Sequence, residues 1–212
     1  MLRPFVLSLA LLAAACGTTT GGPNGATRGE GSIFQNQPRT VWDNQPQGRD
    51  WTEAARAAID QSPALAAGVP KDIAAYCPSY AQAQPTDRRD FWVVMLSDIA
   101  FIESSLNPAA VRAAAAGGAG DVRRGLFAIS TDAAKRYGCA ATSATDLLDP
   151  TANITCAARI LAQTSGVDGY VAGYAEGWRG ASRYWLELRK PDGIAELQSR
   201  LNGQSFCPRR SS

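Results

Sequence analysis

The chain has 212 residues, of which 45% are hydrophobic and 19% are charged, so most of it can bury a core. Its formal net charge is +2, from 21 Lys and Arg against 19 Asp and Glu. That balance argues against a protein that binds nucleic acid by neutralising phosphates. The sequence contains no histidine, which excludes Ser-His-Asp and Cys-His catalytic groups and His-ligated metal sites. Acid–base chemistry must therefore come from Asp, Glu, Lys, Tyr or Cys.

The amino terminus has the pattern of an export signal. Arg3 precedes an apolar stretch over residues 5–15, which is too short to span a bilayer as a helix. Three alanines then lead into Cys16, and the segment resembles the lipobox of bacterial lipoproteins, whose cysteine receives the lipid. We expect residues 1–16 to be a lipoprotein signal peptide, with an ordinary Ala-x-Ala signal as the alternative. By resemblance to Gram-negative sorting rules, Gly17 implies a periplasmic protein anchored to the outer membrane.

The cysteine count agrees with lipidation of Cys16. The chain has five cysteines, so lipidation would leave four for two disulfides in an oxidising compartment. Four cysteines allow three pairings, and we favour Cys139–Cys156 and Cys77–Cys207. In the chain-entropy model the first would contribute about 3 kcal/mol and the second roughly 5 kcal/mol. The spacings fit no zinc pattern and no cofactor motif is present, so we predict neither a metal nor a cofactor.

Residues 17–50 are rich in Gly, Thr, Pro, Asn and Gln, which predicts a flexible linker. As a coil this segment would span about 30 Å, enough to hold a domain away from its anchor. Phe34 and Trp42 are exceptions to this composition, and they could either dock on the domain or remain in solvent. We expect residues 51–212 to form one domain.

Helix signals are dense in residues 51–212 and alternating strand patterns are nearly absent, so we predict a mainly α-helical fold with little or no β-structure. Pro63 follows a capping serine, and Asp87 or Asp90 starts a long helix that Asn107-Pro108 should end. A further helix is expected to begin at Ser130 and end at Gly138, and another to begin at Asp149-Pro150 and end near Gly166. Shorter helices are expected around 168–177, 180–190 and 192–202.

Two shorter stretches depart from the helical pattern. A short extended piece is expected at 125–129. Residues 109–124 combine an alanine run with Gly117, Gly118 and Gly120, which favours a mobile loop. A loop of this length beside a functional site could act as a lid.

Glu103 is the first candidate for acid–base chemistry. It lies near the end of the most apolar predicted helix, on the same face as Leu96 and Ile99. Such surroundings disfavour the carboxylate and should raise the pKa of Glu103, which would let it act as a general acid near neutral pH. The alternative from position alone is a solvated glutamate at the edge of a helix.

Five segments together resemble the lytic transglycosylases with a soluble, goose-lysozyme-like domain, the SLT family. They follow the family's order over residues 90–190: Glu103 to Pro108, Gly125 to Ile129, Asp149-Pro150 with Asn153-Ile154, Gly173 to Gly177, and Arg183-Tyr184-Trp185. The resemblance implies a lysozyme-like fold and cleavage of the β-1,4 bond between N-acetylmuramic acid and N-acetylglucosamine. The products would carry 1,6-anhydromuramoyl ends, with Glu103 acting first as general acid and then as base.

The resemblance also implies a set of substrate-binding residues: Ser104, Phe127, Tyr174, Glu176 and Tyr184. Each has a bland alternative, since the aromatic residues could belong to the core and Ser104 could bond its own helix. Two residues depart from the family pattern, because Ala128 and Ala175 stand where the family has glutamine and asparagine.

Two other functions remain open at this stage. Glu176 could activate water and make the protein a muramidase-type hydrolase, or it could be an exposed helix residue. The alanines at 128 and 175 could instead mark a non-catalytic peptidoglycan-binding lipoprotein. In each case we expect a monomer with glycan strands as partner, a lipid anchor at Cys16 and no nucleic acid.

Overall fold

The fold is built around a long buried helix, α3 (Pro85–Ser104). The computed structural model describes residues 37–113 and 122–208. Pro85 begins α3, slightly earlier than the predicted start at Asp87 or Asp90. Its run from Phe91 to Ala100 is buried on all sides, as expected for a helix that forms the centre of a domain.

Five further helices surround or flank α3: α1 (Gly48–Asp60), α2 (Pro63–Ala67), α4 (Thr131–Arg136), α5 (Pro150–Leu161) and α6 (Pro191–Asn202). The helices α1, α2 and α6 pack against α3, and α5 packs mainly against α1. Two predicted caps are confirmed: Ser130 accepts a hydrogen bond from the backbone N–H of Ala133, and Asp149 accepts one from that of Ala152. The mainly helical fold is therefore as predicted.

Strands in the described residues are short. β1 (Val111–Arg112), β2 (Arg123–Arg124) and β3 (Ile129–Ser130) form an antiparallel sheet in the order β1-β2-β3. The predicted loop at 109–124 thus has paired ends, and its residues 114–121 lie outside the described part of the chain. β4 (Ala172–Tyr174) and β5 (Trp178–Gly180) form a separate hairpin.

The hairpin replaces the helix predicted around 168–177, which was wrong. Gly173 and Gly177 adopt positive φ angles of 137° and 128°, a conformation that a helix does not accept. The region 180–190 also differs from one helix, since it consists of two 3₁₀ turns, Ala181–Arg183 and Leu186–Arg189. Short 3₁₀ turns occur elsewhere at Ile73–Ala75, Tyr80–Gln82 and Asp146–Leu148, and a π-helical turn at Ala162–Gly166 follows α5.

The ordered domain starts before residue 51, where the sequence had placed its boundary. The side chain of Trp42 is fully buried and donates a hydrogen bond from Nε1 to Thr52 Oγ1 at 2.9 Å. The backbone N–H of Arg39 donates to Gln204 Oε1 at 3.0 Å. Residues 37–50, predicted as linker, therefore pack on the domain because they bury an indole, and one compact unit spans Asn36–Ser212.

The predicted signal peptide, the lipidation site Cys16 and the linker as far as residue 36 lie outside the described residues. No helix in residues 37–113 or 122–208 is long and apolar enough to cross a membrane. The structure therefore leaves the prediction of a lipid anchor as it stood.

Both predicted disulfides are confirmed. Cys77 is bonded to Cys207, with the Cα atoms 5.0 Å apart, and Cys139 is bonded to Cys156 with a Cα separation of 5.2 Å. The first closes 130 residues and the second closes 17. In the chain-entropy model, the long bridge restricts the unfolded chain more than the short one.

Candidate active site

Glu103 is the penultimate residue of α3, and its side chain is buried. The helix ends immediately after it, because Ser105 and Leu106 adopt left-handed backbone angles with φ of 53° and 64°. Neither residue is glycine, so this ending is strained, and it comes before the stop that Asn107-Pro108 predicted. Burial raises the pKa of Glu103 to about 7, against an ordinary value of 4.5. Near neutral pH this carboxyl group is therefore protonated in a large fraction of molecules.

Four charged side chains act on Glu103. Arg112 and Arg123 favour its carboxylate form and so lower its pKa, as does Lys190 more weakly, whereas Glu187 raises it. Arg112 and Arg123 are opposite each other on β1 and β2. Glu187 and Lys190 form a salt bridge of 2.7 Å at the 3₁₀ turn Leu186–Arg189. The carboxyl group thus has the small sheet and the 3₁₀ turn as neighbours.

The turn between β2 and β3 is held by Asn153, which is fully buried. Its Oδ1 accepts from the backbone N–H of Phe127 at 2.9 Å, and its Nδ2 donates to the carbonyl of Leu147 at 2.9 Å. Gly125 has a φ of 75°, and a Cβ there would lie 2.3 Å from the Leu147 carbonyl oxygen. The Asp-Pro-x-x-Asn-Ile segment and the glycine of the second motif therefore fix one structural turn near Glu103.

Phe127 lies in the core, contrary to the prediction that it contacts substrate. Its side chain is fully buried, and its ring centroid is 6.4 Å from that of Trp185. Its carbonyl accepts a hydrogen bond from Trp185 Nε1 at 3.1 Å. A ring enclosed in this way has no face free for a sugar, so its role is to pack the core behind the site.

Tyr184 lies half-buried between two aromatic neighbours. Its ring meets those of Tyr137 and Trp185 edge-on, with centroid distances of 5.7 and 5.0 Å. Its hydroxyl is 3.5 Å from the carbonyl oxygen of Ala128, a residue with a left-handed φ of 49°. Tyr184 therefore supports the β2–β3 turn at the position where the family's glutamine is replaced by alanine.

Tyr174 is on the hairpin and is 71% exposed. Its ring meets that of Trp178 edge-on at 5.2 Å, and the Arg189 guanidinium lies 5.3 Å from the centre of the Trp178 ring. Arg189 belongs to the same 3₁₀ turn as Glu187, so this turn contacts the aromatic pair through Arg189 and acts on Glu103 through Glu187. The sequence analysis missed Trp178, although an aromatic residue directly after a turn glycine is a signal for a hairpin surface.

The two remaining predicted site residues face away from direct chemistry on Glu103. The hydroxyl of Ser104 donates to the carbonyl of Ala100 at 2.9 Å, so it bonds its own helix. Glu176 is exposed in the β4–β5 turn with a φ of 54°. The acidic residue that acts electrostatically on Glu103 is Glu187, which the sequence analysis did not single out.

Within residues 37–113 and 122–208, no group of three or more Cys, Asp or Glu side chains is arranged so that it could hold a metal ion. A cavity of about 510 Å³ lies on another side of α3 and is lined by Asp98, Phe101 and Arg200, among others. Glu103 does not line it. The features found at Glu103 are a buried acid and the charged side chains of Arg112, Arg123, Glu187 and Lys190.

Comparison with known proteins identifies the family. The family model "Transglycosylase SLT domain" matches residues 81–193. Solved structures of Bd0314 DslA superimpose closely: the wild-type protein in form 2 is 30% identical with a TM-score of 0.76, and a glutamate-to-glutamine variant is 29% identical with a TM-score of 0.77. Both alignments cover 82% of this chain and 100% of the other. Comparison with curated proteins found no match. The chain belongs to the SLT-domain transglycosylases, a family that acts on peptidoglycan in the periplasm.

Proposed function

We propose that this protein is a peptidoglycan lytic transglycosylase in which Glu103 is the catalytic acid and base. The observation that carries the proposal is the burial of Glu103 at the end of α3, with only 3% of the residue exposed. A pKa of about 7 makes the group both a competent proton donor and, after donation, a competent acceptor. The family match supports peptidoglycan as the substrate, and the burial of Glu103 supports its role as the acid and base.

The reaction follows from one group used twice. Protonated Glu103 donates its proton to the glycosidic oxygen, and the bond from that oxygen to C1 of the muramoyl residue breaks. The N-acetylglucosamine side leaves with a free 4-hydroxyl. The Glu103 carboxylate then removes the proton of the muramoyl 6-hydroxyl, whose oxygen bonds to C1 and closes the 1,6-anhydro ring. The proton returns to Glu103, and neither water nor the second carboxylate of common glycosidases takes part.

Glycan binding in this proposal uses the hairpin rings. Tyr174 and Trp178 are exposed at 71% and 37%, and an exposed aromatic ring can stack on the apolar C–H face of a sugar. The Arg189 side chain beside Trp178 holds that ring in place through a cation–π contact. Tyr184 supports the β2–β3 turn from inside, while the core position of Phe127 removes it from this surface.

The decisive experiment is digestion of purified peptidoglycan with the oxidised protein and with Glu103→Gln. We expect muropeptides lighter than hydrolysis products by one water, and none with the variant. Hydrated reducing ends would instead indicate the muramidase-type hydrolase, with Glu187 and Glu176 as residues to substitute next. Intact wall that is bound without being cut would indicate the non-catalytic alternative, with Ala128 and Ala175 as the positions to restore.

A second experiment tests the hairpin surface. Trp178→Ala should raise KM for long glycan strands about three- to tenfold with little change in kcat, because it removes stacking area. Phe101→Ala is the matched control, since Phe101 is 39% exposed and also lies under an arginine, Arg200, but lines the separate cavity. An equal rise in KM for both variants would contradict a specific role for Trp178.

The cellular arrangement is also part of the proposal. Lipidation of Cys16 would anchor the domain, as a monomer, to the outer membrane and leave it facing the periplasm. Labelling with a radioactive fatty acid tests this, because Cys16→Ser should abolish incorporation while Cys77 and Cys207 remain in their disulfide. Unlabelled wild-type protein would indicate the ordinary signal peptide instead.

A further inference from the structure

Two arginines face each other beside the candidate catalytic group. Arg112 on β1 and Arg123 on β2 are direct partners in the antiparallel register. Directly opposed residues point to the same side of a sheet, with Cβ atoms about 5 Å apart, and like charges in this arrangement are destabilising. Both cations also act on Glu103, so their side chains share the side of the sheet that borders the site.

Neither guanidinium group forms a salt bridge in the described part of the chain. Apart from the backbone pairing of the sheet, no hydrogen bond is found from the side chain of Arg112 or Arg123 to another residue of 37–113 or 122–208. The adjacent Arg124 differs, since its guanidinium donates to the carbonyl of Val122 at 2.8 Å. Two opposed guanidinium groups whose only acidic neighbour is the partly protonated Glu103 form a site that suits an anion from outside the chain.

The two cations also work against the proposed proton donor. A general acid must be protonated, yet Arg112 and Arg123 both stabilise the carboxylate of Glu103. An anion bound to the arginines would cancel this effect and favour the protonated acid at the moment of reaction. The arrangement therefore makes chemical sense when the substrate itself supplies a negative charge next to the bond that breaks.

We propose that Arg112 and Arg123 together bind a carboxylate of the peptide that the muramoyl residue carries, so that this enzyme selects glycan strands with acidic stem peptides. The proposal rests on the proposed function, because it places the reacting sugar at Glu103. Guanidinium groups bind carboxylates through paired, charge-assisted hydrogen bonds, which a lysine reproduces only in part. The muramoyl sugar carries both the bond that breaks and the peptide. A carboxylate of that peptide can therefore lie close to Glu103 when the bond is in position to react.

The test compares two forms of one substrate. Peptidoglycan strands are prepared with their peptides and, in parallel, after an amidase has removed them and the lactyl carboxylate exposed by that cleavage has been converted to its methylamide. For Arg112→Gln with Arg123→Gln, kcat/KM on peptide-bearing strands should fall about 10- to 100-fold, the loss expected for charge-assisted hydrogen bonds. On naked strands the same variant should lose no activity, and above pH 7 it should gain some, because the two cations that lower the pKa of Glu103 are gone. Arg124→Gln is the matched control and should leave kcat/KM on both substrates unchanged. Lysine in place of the arginines at 112 and 123 should recover part of the loss of kcat/KM.

Equal losses on both substrates would overturn the proposal, because they would assign the arginines to the electrostatics of Glu103 alone. That alternative has its own signature, a shift of the pH–rate profile that is the same with and without peptides. Binding of Glu103→Gln protein to the two substrates gives a readout that needs no turnover. If wild-type protein cuts neither substrate, the proposed function fails. The anion site would still be supported if the protein binds peptide-bearing strands more tightly than naked ones and loses this preference when the arginines are substituted.

Discussion

Asp98 and Glu103 are both buried carboxyl groups of α3, and their surroundings differ. The residues are 1% and 3% exposed, and burial is the main cause that raises the pKa of each. Glu103 is the penultimate residue of the helix, and two arginines and the charged pair Glu187 and Lys190 act on it. Asp98 lies within the helix, where neither of its oxygens has a hydrogen-bond partner in the described residues. Its nearest cation is Arg200, whose Nε is 3.6 Å from Oδ1.

A raised pKa does not by itself mark a carboxyl group as catalytic, as Asp98 and Glu103 show together. Desolvation alone raises the pKa of a carboxyl group wherever it is buried. Arg200 covers Asp98, since its guanidinium also lies 5.1 Å from the centre of the Phe101 ring. In the proposed mechanism Glu103 differs from Asp98 because its helix ends one residue later and two arginines act on its carboxyl group. The two residues therefore make matched tests of the proposed mechanism.

The largest expected effect is on activity. Glu103→Gln should lower kcat on peptidoglycan by about 10²- to 10⁴-fold, the range for loss of a general acid–base group. Asp98→Asn removes the other buried carboxylate and should leave kcat within about twofold of wild type. Product formation measured by mass spectrometry checks both. Comparable losses in the two variants would break the distinction drawn between the residues.

The pH–rate profile should follow the protonation of Glu103. The free enzyme needs the acid form, so kcat/KM should be high below the pKa of about 7 and fall about tenfold per pH unit above it. Asp98→Asn should keep this profile, which serves as its control. A profile that is flat from pH 6 to pH 8.5 would contradict the assignment of Glu103 as proton donor.

The stability of the folded protein should also fall as pH rises, and removal of either carboxyl group should lessen that fall. The folded-state pKa of each carboxyl group lies above its unfolded value, so the stability it contributes is present at low pH and is lost as pH rises through the folded pKa. At pH 8 both Asp98→Asn and Glu103→Gln should have a higher free energy of unfolding than wild type, and therefore a higher unfolding temperature. For Glu103→Gln the gain in free energy should be up to about 3 kcal/mol. The gain should vanish near pH 4. Thermal unfolding at the two pH values measures it, and equal shifts at both would contradict the buried-charge explanation.

The smallest expected effect is at Ser104. Its hydroxyl is bonded to the Ala100 carbonyl, so Ser104→Ala should change kcat less than about threefold and alter stability by about 1 kcal/mol or less. Steady-state kinetics and thermal unfolding check this. A much larger loss of kcat, with unchanged unfolding, would show that Ser104 positions Glu103 after all.

Much of this architecture could be predicted from local sequence. The caps at Ser130 and Asp149 and the proline at the start of α2 depend on neighbouring residues, so the chain signals them directly. The apolar character of the helix that carries Glu103 was also visible, because it depends on residues close to Glu103 in the sequence. The pairing of the four cysteines was correctly chosen among three possibilities.

Only the tertiary structure decided which groups meet around Glu103. The sequence by itself determined the helical class and the SLT motifs, and it singled out Glu103 as the candidate acid. It did not place Phe127 in the core, Trp178 beside Arg189 or Arg112 opposite Arg123, and it mistook the hairpin for a helix. The physical reason is that register and burial depend on residues far apart in the chain, whereas caps and periodic patterns depend on near neighbours.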